Sequence, residues 1–360
     1  MIKYLKNEEK IVLSLRSLYS KYGYMPYKMN KFEEYDLYAK NKDFLVSDGI
    51  ITFTDTNGKL LALKPDVTLS IIKNAADVKG VKNKMYYSEN VYRISGGTRE
   101  YKEIMQTGLE CIGDIDIYDT YEVVTLAKKS LAEISKDYVL EISHMGIISA
   151  LLDKIGGNGD FRKEVLECLG KKSTHEIKAI SQKYGVCECD AKCLCDFVSI
   201  YGEPSDVIAK LEKMDVSEEF ALCVSELKEI AMLLKGEEDY EKLRFDFSIV
   251  NDMRYYNSIV INGYINGVCE CVLYGGRYDK LLTKMGKSSR GIGFAIYTDL
   301  LASLNEKPSE YDVDTLLIYN ESTNASKLKE TVEKLIADGK TVTTQKSIPS
   351  KLRYKEIIEI

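Results

Sequence analysis

The sequence predicts an α+β protein: one antiparallel sheet flanked by helices, broken by a helical insertion and followed by a small C-terminal α/β unit. Three observations carry this. Period-2 alternation with turn signals recurs within residues 1–115 and again within 243–296. Between these blocks, residues 146–235 read as a run of short helices with few strand signals. Past Pro308, a strand, a helix and a strand follow one another. The predicted organisation is a discontinuous core over 1–145 and 236–305, an insertion over 146–235 and a truncated unit over 310–360.

In chain order, Ile11, Leu15, Leu18 and Tyr19 share one face of a helix over 6–22, which Gly23 stops. Residues 44–63 alternate, with Asn57-Gly58 as a hairpin turn. A helix over 66–76 leads into the strand KMYYSENVYRI and a loop holding Gly96 and Gly97. The strand 103–112 precedes a helix over 118–135. In the insertion, helices fall on ISALLDKI, FRKEVLECL, SDVIAKLEKM and EEFALCVSELKEIAMLL. Strands return at LRFDFSIV, SIVINGY, GVCECVLYGG and RGIGFAI, with a helix near 297–304. In the tail, the strands VDTLLIYN and TVTTQ flank the helix SKLKETVEKLIADG. Helices are expected to pack on one side of the sheet.

Composition excludes several classes. A hydrophobic content of 45% and a charged content of 29% are those of a globular protein, and a net charge of −6 argues against a dominant nucleic-acid-binding surface. No stretch of about 18 apolar residues occurs. The start, MIKYLKNEEKIVLSLRSLYS, reads as an amphipathic helix and not as a signal peptide. Nine cysteines without such a signal fit free thiols in a reducing cytoplasm. There are two histidines: His175 sits in STHEI, where Ser173 and Glu176 have capping-box spacing, and His144 reads as a buried, satisfied imidazole.

Polar residues converge elsewhere. Alternation puts Met105, Thr107, Leu109 and Cys111 on one face of the strand 103–112, and Ile104, Gln106, Gly108 and Glu110 on the other. Gly108 is expected to open a gap where a ligand approaches the backbone. Asp66 and Thr68 open a helix, and Arg93 ends a strand beside a glycine-rich loop. VNDMRYYNSIVINGY, residues 250–264, reads as a hairpin around a binding site, with Arg254, Tyr255 and Tyr256 before Asn262-Gly263. In GGRYD, 275–279, the glycine pair permits a tight turn, and Arg277 suits a structural carboxylate. Cys187, Cys189, Cys193 and Cys195 depart from common zinc spacing and read as structural.

Taken in order, these pieces resemble the class II aminoacyl-tRNA synthetases, and histidyl-tRNA synthetase in particular. LKPDVTLSI is similar to that family's R-P-E-G-T segment, and VYRISGGTREYKEIMQTGLECIG to its motif 2 hairpin, which ends in H-Q-x-G-x-E. VNDMRYYNSIV resembles the histidine-specific V-R-G-L-D-Y-Y segment, and YGGRYDKLLTKMG with GIGFAI the entry to motif 3. The resemblance covers about residues 5–300, and the order of its motifs makes it specific. It implies that Asp66, Thr68 and Gln106 face the α-amino group of histidine, and that Glu110 and Tyr256 face its imidazole. Arg93, Arg254 and Tyr255 complete the expected histidine site.

The departures fall on the ATP side. Where the family carries an arginine, this chain has Asn251 and Leu300; Ser95 replaces a glutamate, and Asn30 replaces the motif 1 proline. Two lost arginines would cost on the order of 10⁴–10⁶ in rate, so no catalytic residues are expected. That imbalance, the Asp in KPDVT and the short tail resemble the regulatory-subunit family of ATP phosphoribosyltransferase. The resemblance implies a cytoplasmic, non-catalytic homodimer within a hetero-oligomer, working in the first step of histidine biosynthesis. Its partner would be the short-form catalytic subunit and its effector L-histidine. No cofactor, no metal, no membrane and no tRNA are expected. The competing readings are a divergent histidyl-tRNA synthetase and a paralogue that holds an amino acid or tRNA for another enzyme.

Without a guanidinium at Asn251, a bound carboxylate loses a charge-assisted contact of about 1.5–3 kcal/mol. Histidine binding by the isolated chain is therefore expected to be micromolar or weaker. Arg254 shares strand parity with Tyr256 and can replace the missing cation. Calorimetry on Arg254→Ala checks this: affinity should fall, and an unchanged Kd removes the replacement.

Overall fold

The computed structural model describes residues 5–45, 49–94, 100–250, 255–301, 304 and 310–360. The chain forms two compact units, Met1–Leu304 and Asn305–Ile360. In the first, α1 (Asn7–Lys21) is followed by the short strands β1 (Met25–Pro26) and β2 (Phe32–Glu34), helix α2 (Tyr35–Ala39), and the hairpin β3 (Thr52–Thr54) and β4 (Leu60–Leu63). Next come α3 (Thr68–Asn74), the long pair β5 (Lys82–Ile94) and β6 (Tyr101–Gly113), and α4 (Ile117–Ile134). After β7 (Tyr138–His144) the chain is largely helical: α5 (Met145–Ile155), α6 (Gly159–Gly170), α7 (Thr174–Lys183) and α8 (Glu188–Val198). The short β8 (Tyr201–Gly202) then precedes α9 (Pro204–Leu211) and α10 (Glu218–Leu234). It returns through β9 (Leu243–Asp246), β10 (Ile259–Ile265), β11 (Leu273–Arg277), α11 (Asp279–Lys284) and β12 (Arg290–Tyr297). A 3₁₀ turn, Thr298–Leu301, stands where a longer helix was expected.

Among the described residues, nine strands form one sheet in the order β1-β5-β6-β12-β11-β10-β7-β9-β8. Every neighbouring pair is antiparallel except β1–β5 and β7–β9. The two sequence blocks thus meet in a single sheet, with β6 from the first beside β12 from the second. Helix α1 buries Ile11, Leu15, Leu18 and Tyr19, the stripe that its spacing predicts. Leu109 and Cys111 of β6 join those residues and α4 in the main core, to which the helices between β7 and β9 also contribute. No helix of the described residues is long and apolar enough to cross a membrane.

The opposite face of the sheet is not bare, and this corrects the one-sided expectation. Val67, Leu69, Ile71 and Ile72 around α3 and Leu281 and Leu282 of α11 form a second core with Tyr87 and Val91 of β5. Beside it, β2, β4 and β3 form a small antiparallel sheet. In the second unit, β13 (Val313–Ile318), α12 (Ala325–Ala337), β14 (Val342–Gln345) and β15 (Tyr354–Glu359) make a parallel three-stranded sheet with β13 central. The third strand, β15, was not expected.

Asn262-Gly263 is a further correction. Both residues lie inside β10, paired to β11 and β7, and the turn falls on Asn266-Gly267, with Gly267 at φ 89°. A side chain at position 263 would meet Leu131 of α4, so this glycine serves packing.

Helix α4 carries the clearest local signal. Asp116 accepts from the Tyr118 amide at 2.9 Å and the Asp119 amide at 3.2 Å, and Asp119 accepts from the Asp116 amide at 2.8 Å. Lys82 of β5 binds both carboxylates, at 3.1 and 2.6 Å, tying the cap to the sheet. Asp116→Ala should therefore lower stability by about 0.5–2 kcal/mol in urea unfolding, with the loss concentrated in the midpoint and not in the slope.

Candidate functional site

Segments from distant parts of the chain build a cavity of about 440 Å³ on the face of the sheet opposite α1 and α4. The alternation of β6 turns Gln106 and Glu110 into it, both almost fully buried. Opposite Glu110 on β12 stands Gly293, where a side chain would collide with the Glu110 carboxylate and with the Leu109 carbonyl. The start of α3 supplies Asp66 and Thr68, and the start of α11 is preceded by Tyr278. Tyr255 and Tyr256 close a further side.

The hydrogen bonds explain why these side chains stay in place. Asp66 accepts from the Leu69 amide at 2.8 Å, which anchors the first turn of α3. Ahead of it, the Lys64 carbonyl accepts from the Tyr92 amide at 2.9 Å, and the fully buried Lys64 ammonium pairs with Glu89 at 2.8 Å. Arg93 donates through Nε to the Pro65 carbonyl at 2.9 Å and through Nη1 to the Tyr297 hydroxyl at 2.9 Å. The Lys64-Pro65-Asp66 segment is thereby fastened to β5.

Glu110 is the most buried acidic group of the cavity lining. Thr68 donates its hydroxyl to one oxygen at 2.7 Å, and the Tyr278 hydroxyl donates to the other. Both donors favour the ionised form, yet burial outweighs them and lifts Glu110 to about 8. Burial raises Asp66 as well. Tyr255 packs 4.8 Å from Tyr256, 6.0 Å from Tyr278 and 6.2 Å from Phe44, ring centre to ring centre.

Seven of the expected site residues therefore come together: Asp66, Thr68, Arg93, Gln106, Glu110, Tyr255 and Tyr256 all line this cavity. Arg254 and Asn251 lie outside the described residues. Tyr278, Tyr87 and Tyr297 were not anticipated from the sequence. Tyr278 stood in GGRYD beside the more conspicuous Arg277, and Tyr297 is the residue after GIGFAI. Tyr87 corrects the reading of Gly108: its hydroxyl occupies the gap that glycine leaves, so the room serves a protein side chain and not a ligand. The glycine pair 275–276 is corrected likewise. It lies within β11 and admits Phe294 and the Tyr256 ring at close range instead of forming a turn.

Outside the cavity lining, several polar residues that the sequence singled out make structural contacts. Arg277 pairs with Asp279 at 2.8 Å and with Glu226 of α10 at 3.5 Å. His144 is buried at the start of α5; its Nδ1 accepts from the Ile147 amide at 3.3 Å, which places the ring proton on Nε2, 3.3 Å from Glu226. Ser173 accepts from the Glu176 amide at the start of α7, one half of the capping box that the spacing predicts, while the Glu176 carboxylate accepts from the Cys168 thiol. Cys187 caps α8, and among the described residues no three His, Cys, Asp or Glu side chains converge on a metal position.

With this geometry in place, the relatives become informative. Residues 3–301 match the family model for histidyl-tRNA synthetase. The chain belongs to the histidyl-tRNA synthetase family. A protein of Oceanobacillus iheyensis named ATP phosphoribosyltransferase regulatory subunit is 24% identical over 355 residues, 97% of this chain and 87% of its own length. A crystal structure of an ATP phosphoribosyltransferase regulatory subunit/histidyl-tRNA synthetase from Bacillus halodurans shares the fold with a TM-score of 0.79 and 24% identity, covering 98% of this chain and 93% of that one. A chain of the ATP phosphoribosyl transferase complex from Thermotoga maritima matches with a TM-score of 0.64 and 21% identity, covering 81% and 97%. The fold is that of the class II aminoacyl-tRNA synthetases, as the sequence motifs implied.

The raised Glu110 predicts a pH dependence with a definite sign. Its ordinary value is 4.5, so the native state holds the proton better than the unfolded chain between about 4.5 and 8. The stabilisation is complete below 4.5 and is lost as pH rises toward 8. Glu110→Gln cannot titrate. Urea unfolding across this range should show the wild type losing stability relative to Glu110→Gln, and a pH-independent difference would refute the assignment.

Proposed function

We propose that this chain is the non-catalytic regulatory subunit of ATP phosphoribosyltransferase, the enzyme of the first step of L-histidine biosynthesis. It activates the short-form catalytic subunit in the cytoplasm as a homodimer within a hetero-oligomer, and it mediates feedback by L-histidine. The observation that carries this reading is the charge of the cavity. Its described lining holds Asp43, Asp66, Glu110 and Glu270 against one guanidinium, Arg93. Forming an adenylate requires cations on a triphosphate, and each preorganised donor that is lost costs roughly 10²–10³ in rate. Leu300, at the position of a family arginine, presents a hydrocarbon to the cavity.

Several features support histidine as the occupant. A carboxylate, Glu110, and tyrosine hydroxyls suit a ring with two nitrogens of opposite hydrogen-bonding character, and buried Asp66 and Gln106 suit an ammonium. The name of the Oceanobacillus iheyensis relative and the assembly seen with the Thermotoga maritima chain support a catalytic subunit as partner. Tyr278, which touches Glu110, adjoins Arg277, which pairs with α10, so an occupied cavity has a physical route to the helices.

Adding this chain to the purified short catalytic subunit should raise its phosphoribosyl transfer. L-histidine should reverse the effect with a coupling of about 1–3 kcal/mol, five- to 150-fold. No change in rate with or without histidine would count decisively against the reading. Clear histidine-dependent exchange of pyrophosphate into ATP would replace it with an active, divergent histidyl-tRNA synthetase.

A further inference from the structure

We propose that Tyr87 is a recognition residue of the cavity, donating its phenolic hydrogen bond to the unprotonated ring nitrogen of a bound imidazole. The proposal rests on the reading of the cavity as a histidine site and adds to it a residue that the sequence did not single out.

Tyr87 stands in the floor of the cavity. Its strand, β5, pairs it with Gly108 of β6, and Gly108 pairs in turn with Ala295 of β12, so the neighbouring strands carry only small residues beside it. A side chain at position 108 would meet the Tyr87 hydroxyl oxygen at 2.7 Å, which fixes where that oxygen lies. Tyr87 is 2% exposed and lines the cavity, and among the described residues its hydroxyl takes part in no hydrogen bond. Gln106, 3% exposed and at the next cavity-facing position of β6, is in the same condition. A buried polar group without a partner costs stability, so two of them side by side mark where the polar atoms of a ligand belong.

The chemistry of the missing partner follows from what surrounds the hydroxyl. Burial, with the carboxyl groups of Glu110 and Asp66 beside it, pushes the Tyr87 phenol well above its ordinary value, so it keeps its proton and needs an acceptor. The Glu110 carboxyl group lies over Gly293 and the Tyr87 hydroxyl over Gly108. Those glycines are diagonal neighbours across the β6–β12 pair, so the two groups stand roughly 7 Å apart. Two hydrogen bonds of about 2.9 Å with a five-membered ring between them fill such a span. A neutral imidazole carries one N–H and one bare nitrogen. Glu110 accepts the first, since a carboxyl group keeps acceptor capacity whether or not it is ionised, and Tyr87 supplies the proton that the second requires. Thr68 and Tyr278 cannot supply it, because their hydroxyl protons already go to Glu110.

The test compares the full chain with Tyr87→Phe at pH 7.5, where a free imidazole is mostly neutral. The probe is L-histidine labelled with the heavy nitrogen isotope in its ring. Calorimetry should show the variant binding L-histidine about three- to tenfold more weakly. Without ligand, the variant should melt no lower than the wild type, because the hydroxyl it loses has no structural partner. In nitrogen NMR of the bound probe, the resonance of the bare nitrogen should move in the variant toward that of an imidazole nitrogen that accepts no hydrogen bond. Equal affinity of the two chains overturns the proposal. So does a fall in Tm that accompanies the loss of affinity, which would make the hydroxyl part of the scaffold, and so does weaker binding with an unmoved ring resonance. Each of these leaves the histidine site standing. Failure of the wild type to bind L-histidine at millimolar concentration overturns that site and this proposal with it.

Discussion

The buried carboxylate of Glu110 is the constraint on which the site depends. Removing a carboxyl group from water is costly unless its oxygens are satisfied. Here one oxygen takes the Thr68 hydroxyl from α3 and the other takes the Tyr278 hydroxyl from the turn before α11. Those two helices are thereby brought into register with β6, and Gly293 on the neighbouring strand leaves the space in which this happens. Three segments far apart in sequence meet at one functional group.

From Tyr278 the order spreads outward. Asn257 donates to Asp279 at 3.2 Å and accepts the Asp279 amide at 2.8 Å, so the strand entry bearing Tyr255 and Tyr256 is locked to α11. Arg277 continues the chain of contacts to Glu226 on α10, which also receives Ser258 at 3.2 Å and faces His144. The residue that touches Glu110 thus adjoins, along the chain, a polar network that reaches the helices between β7 and β9.

How much of this was legible in the sequence depended on how local the cause was. The stripe on α1, the cap of α4 and the alternation of β6 were readable because each is a pattern within a few residues. Seven of the eight expected site residues line one cavity, because matched motifs carry their spatial relations with them. Several of the misreadings concern glycines. Asn262-Gly263 has the same local chemistry as Asn266-Gly267, and what separates them is Leu131 of α4 crossing the sheet at position 263. Gly108, Gly275 and Gly276 likewise answer to Tyr87, Phe294 and Tyr256, which no local window contains.

The sequence by itself determined the family, the α+β architecture, the faces of the principal helices and strands, and the identity of most side chains around the cavity. Those properties follow from periodicity and from motif order, which the chain carries linearly. Tertiary structure alone decided which groups are satisfied and which are left for a ligand. It placed Tyr278 on Glu110, gave Arg93 to Pro65 and Tyr297, and left Gln106 without a partner among the described residues. Burial and hydrogen bonding are properties of atoms brought together from distant positions, so charge and protonation in the cavity exist only once the sheet has closed around it.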